Sequence, residues 1–425
     1  MSIAARCGPC GGAARFITIL GAKSKHYDDR TAMTERTYLD WNATSPLRPE
    51  ARAAALAALA MTGNPSSVHA EGRAARQLVA QARAQVAALV GAEPSNLVFT
   101  SGGSEANAMA LTPGLGADRD GVRGCDHLLV SAIEHPSVAA GGRFEPTAID
   151  TIPVTGEGQA DLSALERKLA ALAAQGLRPL VSIMLANNET GVIQPVAEAG
   201  RMAHAAGALL HVDAVQACGR IHTDINCLNA DLLTISGHKI GAPPGVGALV
   251  RRSARLSFGR PLIGGGGQER GLRAGTENVP AIAAFGAAAA AAARNLEREQ
   301  ARVIALRDQL ETGLLAVSPQ TVVFGSRAER VANTVLFAVP GIKAEVALIA
   351  LDLEGIALSS GAACSSGKVT PSHVLSAMGV EAHLARCALR ASFGFSTSQQ
   401  DIDRLLQAWR MRVQALPNGQ QGIAA

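Results

Sequence analysis

The sequence is short of aromatic residues and of charge. Phe, Trp and Tyr make up 3% of its 425 residues, and Asp, Glu, Lys and Arg together 17%. Lys and Arg number 39 against 35 Asp and Glu, a formal net charge of only +4. No Lys/Arg stripe and no interleaving of basic with aromatic residues occurs, so nucleic acid is not an expected partner. Long apolar runs are missing too. The richest, Ala281 to Ala293, is mostly alanine and too short to span a bilayer. It reads as a buried or interdomain helix, and no membrane partner is expected.

Cysteines show no pattern. There are seven, at Cys7, Cys10, Cys125, Cys218, Cys227, Cys364 and Cys387. An odd count at scattered spacings excludes a disulfide framework and suits a reducing compartment, here the cytoplasm. Cys7-Gly8-Pro9-Cys10 is a lone CxxC with neither a second pair nor a preceding strand, so no metal site is expected. A Walker A loop is absent, and the run Gly264 to Arg270 lacks the strand and the spaced acid of a dinucleotide fingerprint; that run reads as flexible, a hinge. Residues 1–33 carry Arg6, Arg15, Lys23 and Lys25 with no acid before Asp28. Their apolar run Phe16 to Leu20 is too short for a signal peptide. They read as a disordered extension, with a transit peptide or a true start at Met33 as the other readings.

What is present points to a large core. Hydrophobic residues reach 48%, enough for a soluble chain of two domains. From Leu39 to about Arg260, strand-like and helix-like segments alternate, which predicts an α/β domain with a mainly parallel sheet. A long helix from Asn278 to about Leu315 links it to a shorter α/β pattern ending in a helix from Gln399. In such sheets ligands collect at the carboxyl ends of strands. Ser101 to Ser104, His135, Asn188, Asp213 and Ser236 to Lys239 all fall just after predicted strands.

Asp213 and Lys239 lie 26 residues apart, each behind a short apolar run. An acid and a lysine at the ends of successive strands are what a pyridoxal phosphate enzyme needs. The lysine attaches the cofactor, and the acid keeps the ring nitrogen protonated. A lysine in this place is otherwise a solvated charge. Ser236 and His238 can donate to a phosphate, and Gly237 lets the backbone come close. Ser101-Gly102-Gly103-Ser104 at a strand–helix junction forms an anion cup, or an ordinary cap at Ser104. His135 either stacks on a bound ring or is a satisfied buried histidine. Asn188 and Gln216 can hydrogen-bond a phenolic oxygen, and Thr276 can add a phosphate ligand. Cys364 sits among small residues, Ser359-Ser360-Gly361-Ala362-Ala363 before it and Ser365-Ser366-Gly367-Lys368 after it. That setting, with a lysine near, favours an exposed, partly ionised thiol. Arg390 can pin a carboxylate in bidentate fashion or lie on the surface.

Taken in order, these segments resemble the cysteine desulfurases of the NifS/IscS group in the class V aminotransferase family. The resemblance runs from Tyr38-Leu39-Asp40 and Gly63-Asn64-Pro65-Ser66-Ser67 through Glu134-His135, Asn187 to Gly191, Asp213 to Gln216, Ser236 to Lys239 and Gly265 to Thr276. It ends with Ser359 to Cys364 and Arg390. It implies fold type I of the pyridoxal phosphate transferases: an α/β large domain, residues 49–296, with a mainly parallel seven-stranded sheet. Residues 34–48 and 297–425 would form a smaller α/β domain carrying a mobile Cys364 loop.

The same resemblance implies a homodimer. Lys239 would bind the cofactor covalently and Asp213 would face its ring nitrogen. His135 would stack on the ring, with Asn188 and Gln216 beside its oxygen. Gly103, Ser104, Ser236 and His238 would hold the phosphate, joined by Thr276 from the partner subunit. Arg390, with Asn64 and Asn188, would bind the carboxylate of L-cysteine. Cys364 would take the sulfur as a persulfide, releasing alanine, and could transiently ligate an iron–sulfur cluster. Partners would be a sulfur acceptor or an iron–sulfur scaffold protein. Another lyase or transaminase of this fold, such as a selenocysteine lyase, is the alternative. The six residues between Cys364 and Pro371 resemble the long-loop members better than the short-loop, selenocysteine-lyase-like ones. Gly265 stands where relatives more often have His, and the long tail of the housekeeping members is missing.

Overall fold

The computed structural model describes residues 36–116, 124–256, 258, 261–360 and 372–414. The extension 1–33, Cys364 with its loop, and the tail from Pro417 lie outside the described residues. In chain order the elements are β1 Thr37–Tyr38, α1 Pro49–Leu59, α2 Ala70–Leu89, β2 Leu97–Thr100, α3 Gly103–Ala110, β3 His127–Ser131, α4 Pro136–Ala139 and β4 Ile149–Ile152. There follow α5 Leu162–Ala174, β5 Pro179–Met184, α6 Val196–Ala205, β6 Leu209–Asp213, β7 Leu232–Ser236 and β8 Gly247–Arg251. The last are α7 Val279–Val317, β9 Val322–Val323, β10 Thr334–Ala338, α8 Ala344–Leu353, β11 Ile356–Ala357, α9 His373–Ala377, α10 Ala382–Ala385, β12 Leu389–Ser392 and α11 Gln399–Gln414.

Seven strands form one sheet in the order β2-β8-β7-β6-β5-β3-β4. All its pairs are parallel except those of β8, which runs antiparallel to β2 and β7. Strands β3, β5, β6 and β7 are buried along their whole length, because helices cover both faces of a parallel sheet. This is why they read as continuous apolar runs. Sequence alternation missed β4, whose residues are only half-buried, and β8, which lies among glycines and arginines. The centre of the sheet carries one buried imidazole. His211 on β6 bonds Ser182 Oγ on β5 at 2.8 Å and Thr234 Oγ1 on β7 at 2.9 Å. Burial drives its pKa down to about 3, so the ring is neutral and ties three strands together.

A second sheet, β12-β10-β9, is antiparallel, and β1 pairs parallel with β11. Helix α7 serves both halves. Its alanine-rich start is buried almost all round in the core of the large sheet. Its later turns bury only one face, Val303, Leu306, Leu310 and Leu314, in the core of the small sheet. At 39 residues α7 is by length and composition alone able to cross a membrane, unlike the short alanine run that suggested it. Slightly over half of its most apolar window, 56%, is buried inside this protein.

Candidate active site

The chain places its polar residues where the parallel strands end. β6 finishes on Asp213, and β7 finishes on Ser236 and tightens into a short 3-10 turn, Gly237–Lys239. β2 turns through Ser101 into α3. The helix cap is Gly102, with no side-chain bond, so the cap expected at Ser104 is not formed. The first-turn amides of α3 therefore face the strand ends without an internal partner. Close packing requires glycine there: a Cβ on Gly103 would lie 3.1 Å from Val215 Cγ2 and 3.3 Å from Ser236 Cβ, and one on Gly247 would strike Gly102 at 2.6 Å.

These ends enclose a cleft of about 670 Å³ lined by Gly103, Ser104, His135, Asn188, Asp213, Gln216, Ser236, His238 and Lys239. Asn107 is also in it. A second cavity joins it at Lys239, Asn188, Gln216 and His135 and is walled by Asp40, Asn42, Glu189, Ser359, Ser360, His373 and Arg390. Of the predicted site residues, Asn64 and Thr276 line neither cleft. Asn64 sits on an exposed turn where its Oδ1 accepts from Ser66 N at 2.9 Å, and Thr276 is exposed. Cys364 lies outside the described residues.

Lys239 Nζ donates to the carbonyls of Asn42, 2.5 Å, and Ala43, 2.7 Å. Burial lowers its pKa to about 7, helped by the charges of Arg220 and Arg390 and opposed by Asp40 and Asp213. Near neutral pH a large fraction of this amine is therefore uncharged and nucleophilic. Asp213 is buried without a cation on it. Its Oδ1 accepts from Val215 N at 2.9 Å and its Oδ2 from Asn107 Nδ2 at 2.8 Å. Burial pushes its pKa up, and those hydrogen bonds pull it back. His135 Nδ1 accepts from Ser137 N at 3.2 Å, which leaves the proton of the neutral ring on Nε2. Its pKa is lowered by burial and by Lys239 and His373, against the pull of Asp213. His238 is pushed down to about 4, mainly by burial, and its Nδ1 lies 3.2 Å from Thr44 Oγ1.

Arg390 reaches the site from β12. Its Nη2 pairs with Asp40 Oδ1 at 2.8 Å and its Nη1 donates to Asn188 O at 2.8 Å, while Nε has no partner among the described residues. Sequence reasoning missed several residues that hold these groups. Asn107 lies one helical turn after Gly103 on α3, and that spacing was its only signal. Asn42 donates to Asn188 O, 3.1 Å, and Thr334 Oγ1, 2.9 Å, and accepts from Arg220 and Asn333. Ser372 donates to the buried Glu189 Oε2 at 2.5 Å and caps α9. Partners this remote in sequence leave no local pattern. The Gly264–Arg270 run is also no loose hinge throughout: Glu269 is buried, pairs with Arg83 at 2.7 Å and accepts from Phe99 N at 3.0 Å.

A lysine with a lowered pKa, a buried acid and an anion cup at the ends of parallel strands define an α/β enzyme built for covalent carbonyl chemistry on an anionic group. The class-V aminotransferase family profile matches residues 37–405, and the chain belongs to that family. It is 43% identical over 375 residues to a protein named cysteine desulfurase 2 from Trichormus variabilis, covering 87% of this chain and 91% of that one. It is 39% identical over 376 residues to the cysteine desulfurase NifS of Azotobacter vinelandii, covering 87% and 90%. Among solved structures, a NifS-like protein from Rickettsia africae superposes with a TM-score of 0.79 at 35% identity, covering 90% of this chain and all of that one.

Proposed function

We propose that this chain is a pyridoxal phosphate-dependent cysteine desulfurase that converts L-cysteine to L-alanine and an enzyme-bound persulfide. The observation that carries the reading is Lys239: a half-buried amine at a strand end, lowered to a pKa of about 7, that lines one cleft with Asp213, Gly103 and Ser104 and a joined cavity with Arg390. The residues present fit the cofactor. Asp213 lacks the cation that a protonated pyridine nitrogen would supply, and the first turn of α3 with Ser104, Ser236 and His238 offers a phosphate its donors.

When bound, the cofactor acts as an electron sink for bonds at the substrate α-carbon. Lys239 would hold it covalently and would carry protons on Nζ when free. Asp213 would keep the ring nitrogen protonated, His135 would stack on the ring, and Asn188 and Gln216 would bond its oxygen. Arg390, with Asn188 and Asn64, binds the cysteine carboxylate, which competes with Asp40 for the guanidinium. Cys364 as thiolate would attack the substrate sulfur; the new S–S bond would form as the carbon–sulfur bond breaks, the bonding pair would stay with the carbon, and that carbon would take up a proton before alanine leaves. Thr276 serves the partner's phosphate in a homodimer. Residues 49–296 act as the large domain, and 34–48 with 297–425 as the small domain bearing Cys364. The persulfide passes to a sulfur acceptor or iron–sulfur scaffold protein in the cytoplasm.

The test is direct. Purified protein should be yellow, lose its colour to borohydride, and produce alanine and protein-bound persulfide from cysteine in equal amounts on the first turnover. Cys364→Ala should keep the colour and lose the persulfide. Keto-acid products with activity surviving Cys364→Ala would instead identify a transaminase or lyase.

A further inference from the structure

Two guanidinium groups approach Lys239, and they keep different company. Arg390 has the Asp40 carboxylate. Arg220, directly after Gly219 and four residues beyond Gln216, bonds only neutral oxygens among the described residues: its Nη1 donates to Asn42 Oδ1 at 2.8 Å, Gln216 Oε1 at 2.5 Å and Gln216 O at 3.3 Å. Burial lowers even its pKa, to about 9, and Arg390 adds to the effect. Arg220 keeps some exposure, but holding most of a guanidinium away from water with no carboxylate beside it among the described residues still costs free energy. An uncharged side chain of similar length would fill the same space without that cost, so the charge itself calls for a role.

Its partners indicate the role. A guanidinium donates and never accepts, so only the oxygen end of the Gln216 amide can face Arg220. The nitrogen end is thereby turned the other way, where Nε2 donates to Asn42 O at 3.0 Å. That same carbonyl takes Lys239 Nζ at 2.5 Å. Gln216 thus stands beside Lys239 with its donor end fixed, and the side chain lines both cavities. The charged groups facing Lys239 are Arg220, Arg390 from β12, Asp40 after β1, and Asp213 at the end of β6. Two cations oppose two acids. Without Arg220 the balance around the lysine turns negative.

We propose that Arg220 is a positioning residue of the Lys239 site: its guanidinium, which pairs with no carboxylate among the described residues, fixes the Gln216 amide with its nitrogen on the Asn42 carbonyl that Lys239 shares, and sets a standing charge against protonation of Lys239. The first half rests on the cofactor reading above, in which Gln216 is assigned to the ring oxygen. The second half concerns the protein alone.

The experiment has two arms. In cofactor-free, full-length protein, reductive methylation of Lys239 with formaldehyde and cyanoborohydride is followed by peptide mass spectrometry from about pH 6 to pH 10, and its rate profile gives the lysine's apparent pKa. Arg220→Met should raise that value by on the order of one pH unit, while Arg220→Lys, which keeps the charge, should leave it within about 0.3 unit of the parent. An unchanged profile in Arg220→Met overturns the electrostatic role. In the holoenzyme, Arg220→Met, which has no donor, and Arg220→Glu, which presents an acceptor to Gln216, should shift the visible absorption band or its pH midpoint, whereas Arg220→Lys, whose ammonium can still donate to Gln216 Oε1, should shift it least. An unmoved band in either Arg220→Met or Arg220→Glu overturns the orienting role. Parent protein with no visible band would defeat the cofactor reading, while the methylation arm would still decide the electrostatic one.

Discussion

The two sheets furnish one site by different means. The large sheet offers groups from the ends of neighbouring strands: the α3 cup after β2, Asp213 after β6, Ser236 to Lys239 after β7. Each is set by a local strand-to-turn junction. The small sheet offers Arg390 from within β12, and Ser360 and Ser372 flank the segment that contains Cys364. These are set by contacts across hundreds of residues, such as Asn42 N to Ser392 Oγ at 2.9 Å, 350 positions apart. The parallel sheet builds a rigid floor by repetition, and the small sheet brings reactive groups to it through a few long-range hydrogen bonds.

Substitutions on the two sides should therefore fail differently. The largest effect is expected at the floor: Lys239→Ala should cut turnover by roughly 10³-fold or more and abolish borohydride fixation of the cofactor, measured by absorbance and mass. Cys364→Ala should abolish persulfide formation as completely but leave the absorbance untouched. Equal damage to colour in both would erase the distinction between the two sheets.

Next in size is the Arg83–Glu269 pair behind β2. Glu269→Ala leaves the mostly buried Arg83 guanidinium without its counter-charge, with the Leu97 carbonyl as its remaining acceptor among the described residues, and the Phe99 amide without its acceptor, and should lower unfolding free energy by about 3–5 kcal/mol in denaturant titrations. A loss under about 1 kcal/mol would mean the pair is solvated in solution. Arg390→Gln should raise KM for cysteine by about 10- to 100-fold with the cofactor spectrum unchanged, as expected for a lost charged hydrogen bond to substrate. A change in the spectrum would place Arg390 in the floor instead.

The smallest effect is a pH dependence within the floor. His211 titrates near 3 when folded and near its ordinary 6.5 when unfolded. The unfolded chain thus binds the proton first, and stability present above about pH 6.5 is lost as the pH falls toward 3. At pH 5 this amounts to about 2 kcal/mol. His211→Gln should flatten that part of the acid denaturation curve, and an unchanged curve would show that other groups govern it.

Much of the floor was legible because a parallel sheet writes itself into local sequence. Buried strands appear as short apolar runs, and the first polar residue after each marks its carboxyl end. That logic located Asp213, Ser236, Lys239 and Gly103 without a structure. It failed for β8, whose strand is bracketed by glycine and arginine. It also failed for Asn42 and Arg220, whose importance lies in partners on other elements. The Gly264–Arg270 run was misread because the partner of Glu269, Arg83, lies 186 residues earlier.

The sequence by itself determined the order of strands and helices and the residues at their ends, since apolar periodicity and turn chemistry act over a few positions. Only the tertiary structure decided that the Lys239 pKa falls to about 7, that Arg390 is shared with Asp40, and that Arg220 stands behind Gln216 with no carboxylate partner among the described residues. Those properties come from burial and from charges brought together by folding, and neither is a property of any one segment.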